Sequence, residues 1–210
     1  MDYKTIAREA QAEFTEKRSR FIGHIKPVTT QEQALEFIAQ VKTKHWDAAH
    51  NVSAYVLRAG GIQRYSDDGE PQGTAGVPAL DVLLKENLTD CAVVVTRYFG
   101  GILLGAGGLV RAYSHAAKLA VDEGGIITMS LCAVLKVNCD YNFYGRLAAL
   151  VLELGGVIED TQFADAVSVT LHMPVTLLEM FNAQLADLSL GRFKSEKTGE
   201  IFADLCKILK

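Results

Sequence analysis

Apolar positions change period several times along the chain, and each change marks an element. Ser19 to Val28 alternates loosely through Phe21 and Ile25 and reads as a strand closed by Pro27. Thr30 followed by Gln33 has capping-box spacing, and Ala34, Leu35, Phe37, Ile38 and Val41 then recur at helical intervals, predicting a helix over 31–45. Asn51 to Arg58 is β-branched and aromatic, a strand stopped by Gly60-Gly61. From Gly61 to Gly76 the chain turns polar and rich in turn formers, predicting a long loop, and Val77 to Asn87 carries Leu80, Leu83 and Leu84 on one helical face. Cys91 to Val95 is apolar without alternation, the mark of a central strand buried on both faces, and it delivers Thr96, Arg97, Tyr98 and Phe99 at its end. Leu109 to Glu123 predicts a helix that Gly124-Gly125 ends.

The remainder has its own rhythm. Leu131 to Cys139 alternates as a strand, Phe143 to Leu154 is helical, Val157 to Phe163 and Ala166 to Met173 form a hairpin turning at Ala164-Asp165, and Leu177 to Leu188 is helical. A final strand fits within Arg192 to Ile208, completing β-α-β-β-α-β, the ferredoxin-like order. The boundary is expected near Ile127 to Ser130, giving domains 1–129 and 130–210.

Composition narrows the function classes. The chain has 210 residues, 49% apolar by type and 22% charged, with a net charge of -4, so it lacks the global positive field of a non-specific nucleic-acid binder. Residues 1–130 hold 14 basic against 15 acidic side chains and 131–210 hold 7 against 10, so a local anion site is expected in the first part. Cys91, Cys132, Cys139 and Cys206 form no C-x-x-C pair and read as small hydrophobes of a reducing compartment. The charged N-terminal stretch has no signal-peptide core and no apolar run spans a bilayer, so the protein is expected to be cytoplasmic and not membrane-associated.

Ten of the eighteen glycines lie between Gly60 and Gly108, five of them from Gly100 to Gly108. A buried strand running through glycines into a helix N-terminus is an anion seat: glycine admits close backbone approach, and free N–H groups with the helix dipole favour phosphate. Arg97 and Arg111 add forked donors, and Gly100, Gly101, Gly105, Gly107 and Gly108 form the candidate loop. The spacing fits neither the dinucleotide fingerprint, which wants glycine where Val110 stands, nor the P-loop, which wants lysine where Ala106 stands. Glycines that simply pack strand against helix are the alternative. Tyr98, Phe99 and Tyr113 beside the arginines suggest base stacking. Asp67, Asp68 and Glu70, with Thr74 downstream, crowd one loop; they fit a cation, an arginine partner or a turn cap, and EF-hand spacing is absent. His50, at a helix-to-strand junction, fits a base, an anion contact or a structural role. The other histidines have no zinc spacing and no nucleophile elbow occurs, so no catalytic residue, metal or cofactor is assigned.

Ser19-Arg20-Phe21, Ala49-His50-Asn51, Asp67-Asp68-Gly69-Glu70-Pro71, Gly73-Thr74-Ala75-Gly76 and above all Val95 to Tyr113 resemble the IMPACT/YigZ family, strongly up to about residue 125 and more weakly beyond 131. The resemblance implies an α+β chain: a ribosomal protein S5 domain-2-like domain, with its left-handed crossover, followed by a ferredoxin-like domain, the pairing found in the last two domains of the translocation elongation factor. That fold hosts ribosomal proteins, the ribonuclease P protein and GHMP kinases, so it leaves function open. The implied function is a non-enzymatic, nucleic-acid- or ribosome-associated regulator of translation or stress response, with a protein partner on the C-terminal domain as a further expectation. The alternative is an enzyme on a small phosphorylated metabolite or nucleotide, with His50 and the carboxylates at work. The eukaryotic relatives' partner, the activator of a starvation-sensing kinase, is not carried over.

Overall fold

The computed structural model describes residues 2–204, so Cys206 and the end of the expected last strand lie outside the described residues. Two compact units divide between Ile127 and Thr128. The elements are β1 (Tyr3–Ile6), β2 (Ala10–Glu16), β3 (Ser19–Pro27), α1 (Gln31–Lys44), β4 (His50–Leu57), β5 (Ile62–Ser66), α2 (Gly76–Lys85), β6 (Cys91–Tyr98), α3 (Ala106–Gly124), β7 (Ile126–Cys139), α4 (Tyr141–Glu153), β8 (Val157–Phe163), β9 (Val167–Pro174), α5 (Leu178–Ser189) and β10 (Ser195–Asp204).

In the first unit a five-stranded antiparallel sheet has the order β2-β3-β6-β4-β5. The unalternating run in β6 is explained by cover on both faces. Val93 and Val95 join Phe21, Ile25 and Val52 under α2 and α3, against Leu83, Tyr113 and Ala116. Ala92 and Val94 face the other way and pack with Phe37 and Val41 of α1. Helix α1 starts where capping chemistry places it: Gln33 N–H donates to Thr30 Oγ1, and Thr29 N–H donates to Gln33 Oε1 at 2.8 Å.

Three strands differ from the sequence expectation. β1 and β2 were not expected, and β5 occupies the first residues of the predicted 61–76 loop. Ala10–Glu16 and Ile62–Ser66 lie at the two sheet edges; β2 does alternate, but through Ala, Gln and Glu, residues poor in strand propensity, and β5 has only Ile62 half-buried. Strand β6 also runs on to Tyr98, and α3 begins at Ala106 rather than Leu109.

In the second unit β10-β7-β9-β8 is an antiparallel sheet in the ferredoxin-like order. Helices α4 and α5 cover one face through Phe143, Leu147, Phe181 and Leu185 against Leu135, Val137, Val169 and Leu171. Asp140 caps α4 by accepting the Phe143 N–H at 2.8 Å. Among the described residues, no helix is long and apolar enough to cross a membrane.

Candidate functional site

The end of β6 is where the sequence signature meets. Strand β4 sets His50 opposite Arg97 and Asn51 opposite Thr96. The segment after β5 supplies the carboxylates. Asp67 Oδ1 accepts the N–H groups of Ala75 and Gly76 (3.1 and 2.7 Å) and its Oδ2 accepts that of Gly73 (2.9 Å), closing the loop and capping α2. Burial opposes its ionisation, but the three N–H donors prevail and hold its carboxyl below the usual range. Asp68 accepts from the Asn51 N–H and from Lys42 Nζ, both at 2.6 Å, while its carbonyl oxygen lies 2.9 Å from His50 Nδ1. Thr74 donates to the Pro71 carbonyl at 2.7 Å.

Glu70 is the centre of this cluster. Its side chain is 4% exposed and Oε1 accepts from Arg97 Nη1 at 2.6 Å and from Tyr113 Oη at 2.7 Å, with His50 Nε2 3.9 Å from Oε2. The Arg97 guanidinium lies over the rings of Phe21 and Phe99 at 5.6 and 5.4 Å. Arg97 is therefore not the surface anion donor expected of it, because its charge is buried and paired. Tyr113 is likewise no stacking platform: it is fully buried, and burial with the bond to Glu70 pushes its hydroxyl strongly up. Asp67, Asp68 and Glu70 face three different partner sets, so the loop's carboxylates cap a turn and orient cations.

The glycine loop splits into two roles. A Cβ on Gly100 would lie 2.1 Å from the Arg18 carbonyl, so the loop approaches the β2–β3 turn as only glycine allows, and its N–H donates to Ser19 Oγ at 3.2 Å. Gly101, with φ +81°, turns the chain into solvent. Gly108 packs on Leu104, while Gly107 is exposed. Gly105 precedes α3 without any side-chain cap, so the first N–H groups of that helix are not held by a neighbouring side chain. Arg111, one turn into α3, is exposed and has no ion pair among the described residues; with Phe14, Lys17 and His115 it lines a cleft of about 220 Å³.

Sequence reasoning missed a third layer. Asn51 Oδ1 accepts from Thr96 Oγ1 (2.7 Å), its amide donates to the His45 carbonyl (3.2 Å), His45 Nδ1 lies 3.0 Å from Tyr98 Oη, and Tyr98 donates to Asp47 Oδ1 at 3.0 Å. Burial and Asp47 push the Tyr98 phenol up. Between His45 and Asp47 stands Trp46, 82% exposed. The one available signal was a single tryptophan at a helix end. Exposed apolar or aromatic side chains, namely Trp46, Phe99, Ile102 and Leu103, thus fringe the end of β6, with Lys17, Arg18 and Arg20 on the adjacent turn and strand.

Comparisons with known proteins agree on one family. Residues 17–121 match the Impact N-terminal domain, and residues 137–192 match a domain of unknown function, DUF1949. The chain is 37% identical over 200 residues to IMPACT family member YvyE of Bacillus subtilis (strain 168), covering 95% of this chain and 92% of that one. It is 34% identical over 178 residues to IMPACT family member YigZ of Escherichia coli (strain K12), covering 83% and 87%. Protein IMPACT of Rattus norvegicus is 35% identical over 116 residues, which are 53% of this chain and 37% of the relative. A solved structure described as "Crystal structure of an hypothetical protein" superposes with a TM-score of 0.60 at 31% identity, covering 94% of this chain and 98% of that one. With a two-domain α+β fold, a signature loop locked onto Arg97 and full-length bacterial relatives above 30% identity, the chain belongs to the IMPACT family.

Proposed function

We propose that this chain is a nucleic-acid- or ribosome-associated regulatory protein of a translation-related family, and that it acts by binding. The observation that carries the reading is the division of labour at the end of β6. Arg97, Glu70, Asp68, Asp67 and His50 are turned inward on one another, and what they brace is an exposed rim. That rim offers aromatic faces at Trp46 and Phe99, cations at Lys17, Arg18 and Arg111, and an uncapped helix N-terminus at Gly105 to Gly107. Rings for stacking beside cations for phosphates are the combination that holds single strands. The net charge of -4 confines such binding to this rim. The enzyme alternative fares worse on the same geometry, because each carboxylate it would use already accepts internal hydrogen bonds.

The test is titration of a labelled single-stranded RNA and of ribosomes at two salt concentrations. Binding should weaken as salt rises, and Arg111→Ala with Lys17→Ala should flatten the salt dependence by ~0.7 per lost phosphate contact on a single strand. Absence of binding at low salt, or affinity and slope untouched by the double variant, would overturn the proposal.

A further inference from the structure

Edge strands expose a row of backbone donors and acceptors, and most proteins blunt them with bulges, lysines, prolines or shortness. Four of the five edge strands among the described residues are treated that way. β1 is only four residues long and includes Lys4. β8 carries a register break between Ile158 and Asp160, β10 carries one between Lys197 and Gly199, and β5 is only five residues long with Arg64 in the middle. β2 is the exception. It pairs with β3 in continuous register from Ala10 to Glu16, contains no lysine, proline or glycine, and meets no second strand among the described residues.

Residues of β2 line two clefts of the first unit, one on each face of the sheet. On the α1 face a groove of about 530 Å³ is lined by Gln11, His24, Phe37 and Lys44, with His24 buried at its base and its Nε2 unpartnered. On the α3 face the cleft of about 220 Å³ has an apolar wall of Phe14, Leu104 and Ala112, with Glu16, Lys17 and Arg111 also lining it. A strand laid beside β2 projects its side chains alternately to the two faces, so one set enters the groove and the other the cleft.

We propose that the free edge of β2 is a docking site for an extended segment of another protein, a segment alternating apolar and basic residues. The two faces of β2 dictate that chemistry. Toward α3 it shows Ala10, Ala12 and Phe14, which suit apolar partners. Toward α1 it shows Glu9, Gln11, Glu13 and Thr15, and both carboxylates already seat cations there, Glu9 with Lys26 at 2.9 Å and Glu13 with Arg20 at 2.5 Å. Opposite charges across a strand pair stabilise it, and like charges directly opposite oppose it. A second copy of β2 is the poorer occupant for that reason: antiparallel pairing over all seven residues sets Glu13 against its own symmetry mate.

The experiment uses the whole chain and a capped octapeptide of alternating lysine and valine, followed by amide hydrogen exchange and a binding titration. The expected result is slowed exchange confined to residues 10–16 and their neighbours in β3, with affinity lost at least tenfold on N-methylating alternate peptide nitrogens, on replacing lysine by glutamate in the peptide, or in the Glu13→Lys variant. Glu13 is exposed, so that variant keeps its fold. Equal binding by the N-methylated peptide, protection elsewhere, indifference to Glu13→Lys, no binding, concentration-dependent self-protection of β2 without peptide, or the same protection by a uridine oligonucleotide would each overturn the proposal. The α3-face cleft also carries Lys17 and Arg111 of the proposed rim, so the uridine arm and the Lys17→Ala, Arg111→Ala variant separate RNA binding there from strand docking: loss of RNA binding in that variant with peptide protection of β2 intact leaves the docking proposal standing.

Discussion

Removing Glu70 should damage the first unit more than its one carboxylate suggests. In Glu70→Ala the Arg97 guanidinium stays buried, its side chain 6% exposed, and loses Nη1's partner while Nε already has none. The Tyr113 hydroxyl, 2.7 Å from the same oxygen, is orphaned with it. Breaking one side of a buried ion pair costs about 3–5 kcal/mol, because the surviving charge keeps its desolvation penalty without its partner. Tyr113→Phe removes a single hydrogen bond to a charged acceptor that Arg97 still neutralises, so it should cost about 1.5–3 kcal/mol. Replacing both partners, Glu70→Leu with Arg97→Met, removes the stranded charge and should cost much less than the sum of the single changes, by a coupling of about 2 kcal/mol or more. Urea unfolding measures this, followed by loss of amide protection in β3, β4 and β6, strands that belong to the first unit. A loss under about 1 kcal/mol for Glu70→Ala, or single and double variants that add, would refute the claim that the pair braces the site.

Three further outcomes follow from the same geometry. Gly100→Ala drives a methyl into the Arg18 carbonyl and should cost more than about 2 kcal/mol, whereas Gly107→Ala meets nothing nearer than Arg111 Nη1 at 3.9 Å and should be neutral or stabilise by up to ~1 kcal/mol; thermal melts separate them. The His24 imidazole is pushed down to about 4 by burial, by His45 and by Lys44, and burial also lowers His45. The unfolded chain therefore binds these protons first, so stability should fall as pH drops from about 6.5 toward 4, by at most ~3 kcal/mol for His24, and His24→Gln should flatten that slope in a pH series of urea midpoints. Asp67→Asn keeps one acceptor but loses the charge that three N–H groups hold, so the first unit should lose about 1 kcal/mol, checked by the same unfolding curves.

Elements with a strong period were legible in the sequence. The capping residues of α1, the two-faced burial of β6 and the β-α-β-β-α-β order of the second unit each follow from local pattern. β2 and β5 were not, because β2 alternates through Ala, Gln and Glu rather than β-branched residues and β5 is almost wholly exposed, so pairing with one neighbour outweighs local preference. The signature residues were legible as a set, but their direction was not. Nothing in Arg97-Tyr98-Phe99 says which side chain points inward; that depends on β4 lying alongside and on Tyr113 arriving from α3 to share Glu70. Arg111 and Arg97 look equivalent in the sequence, and one is exposed while the other is a buried counter-ion.

On the proposed function, that inversion decides where a single strand would find rings to stack on. A ferredoxin-like sheet binds single strands when aromatic rings on its open face stack the bases. Here the face of the second sheet away from α4 and α5 carries Val134, Lys136, Asn138, Ser168, Thr170 and His172, alternating with the residues of the core. His172 is itself buried, its Nδ1 2.9 Å from Glu159. Among the described residues of β7 and β9 that face presents no exposed aromatic ring, and with 7 basic against 10 acidic side chains residues 131–210 offer little to phosphate. The exposed rings of the second unit, Tyr141 and Phe163, stack on each other, whereas in the first unit burying Arg97 against Glu70 holds the guanidinium over the Phe99 ring, which stays 50% exposed. The residue that looked most like a phosphate ligand is better understood as the support on which an aromatic one is presented.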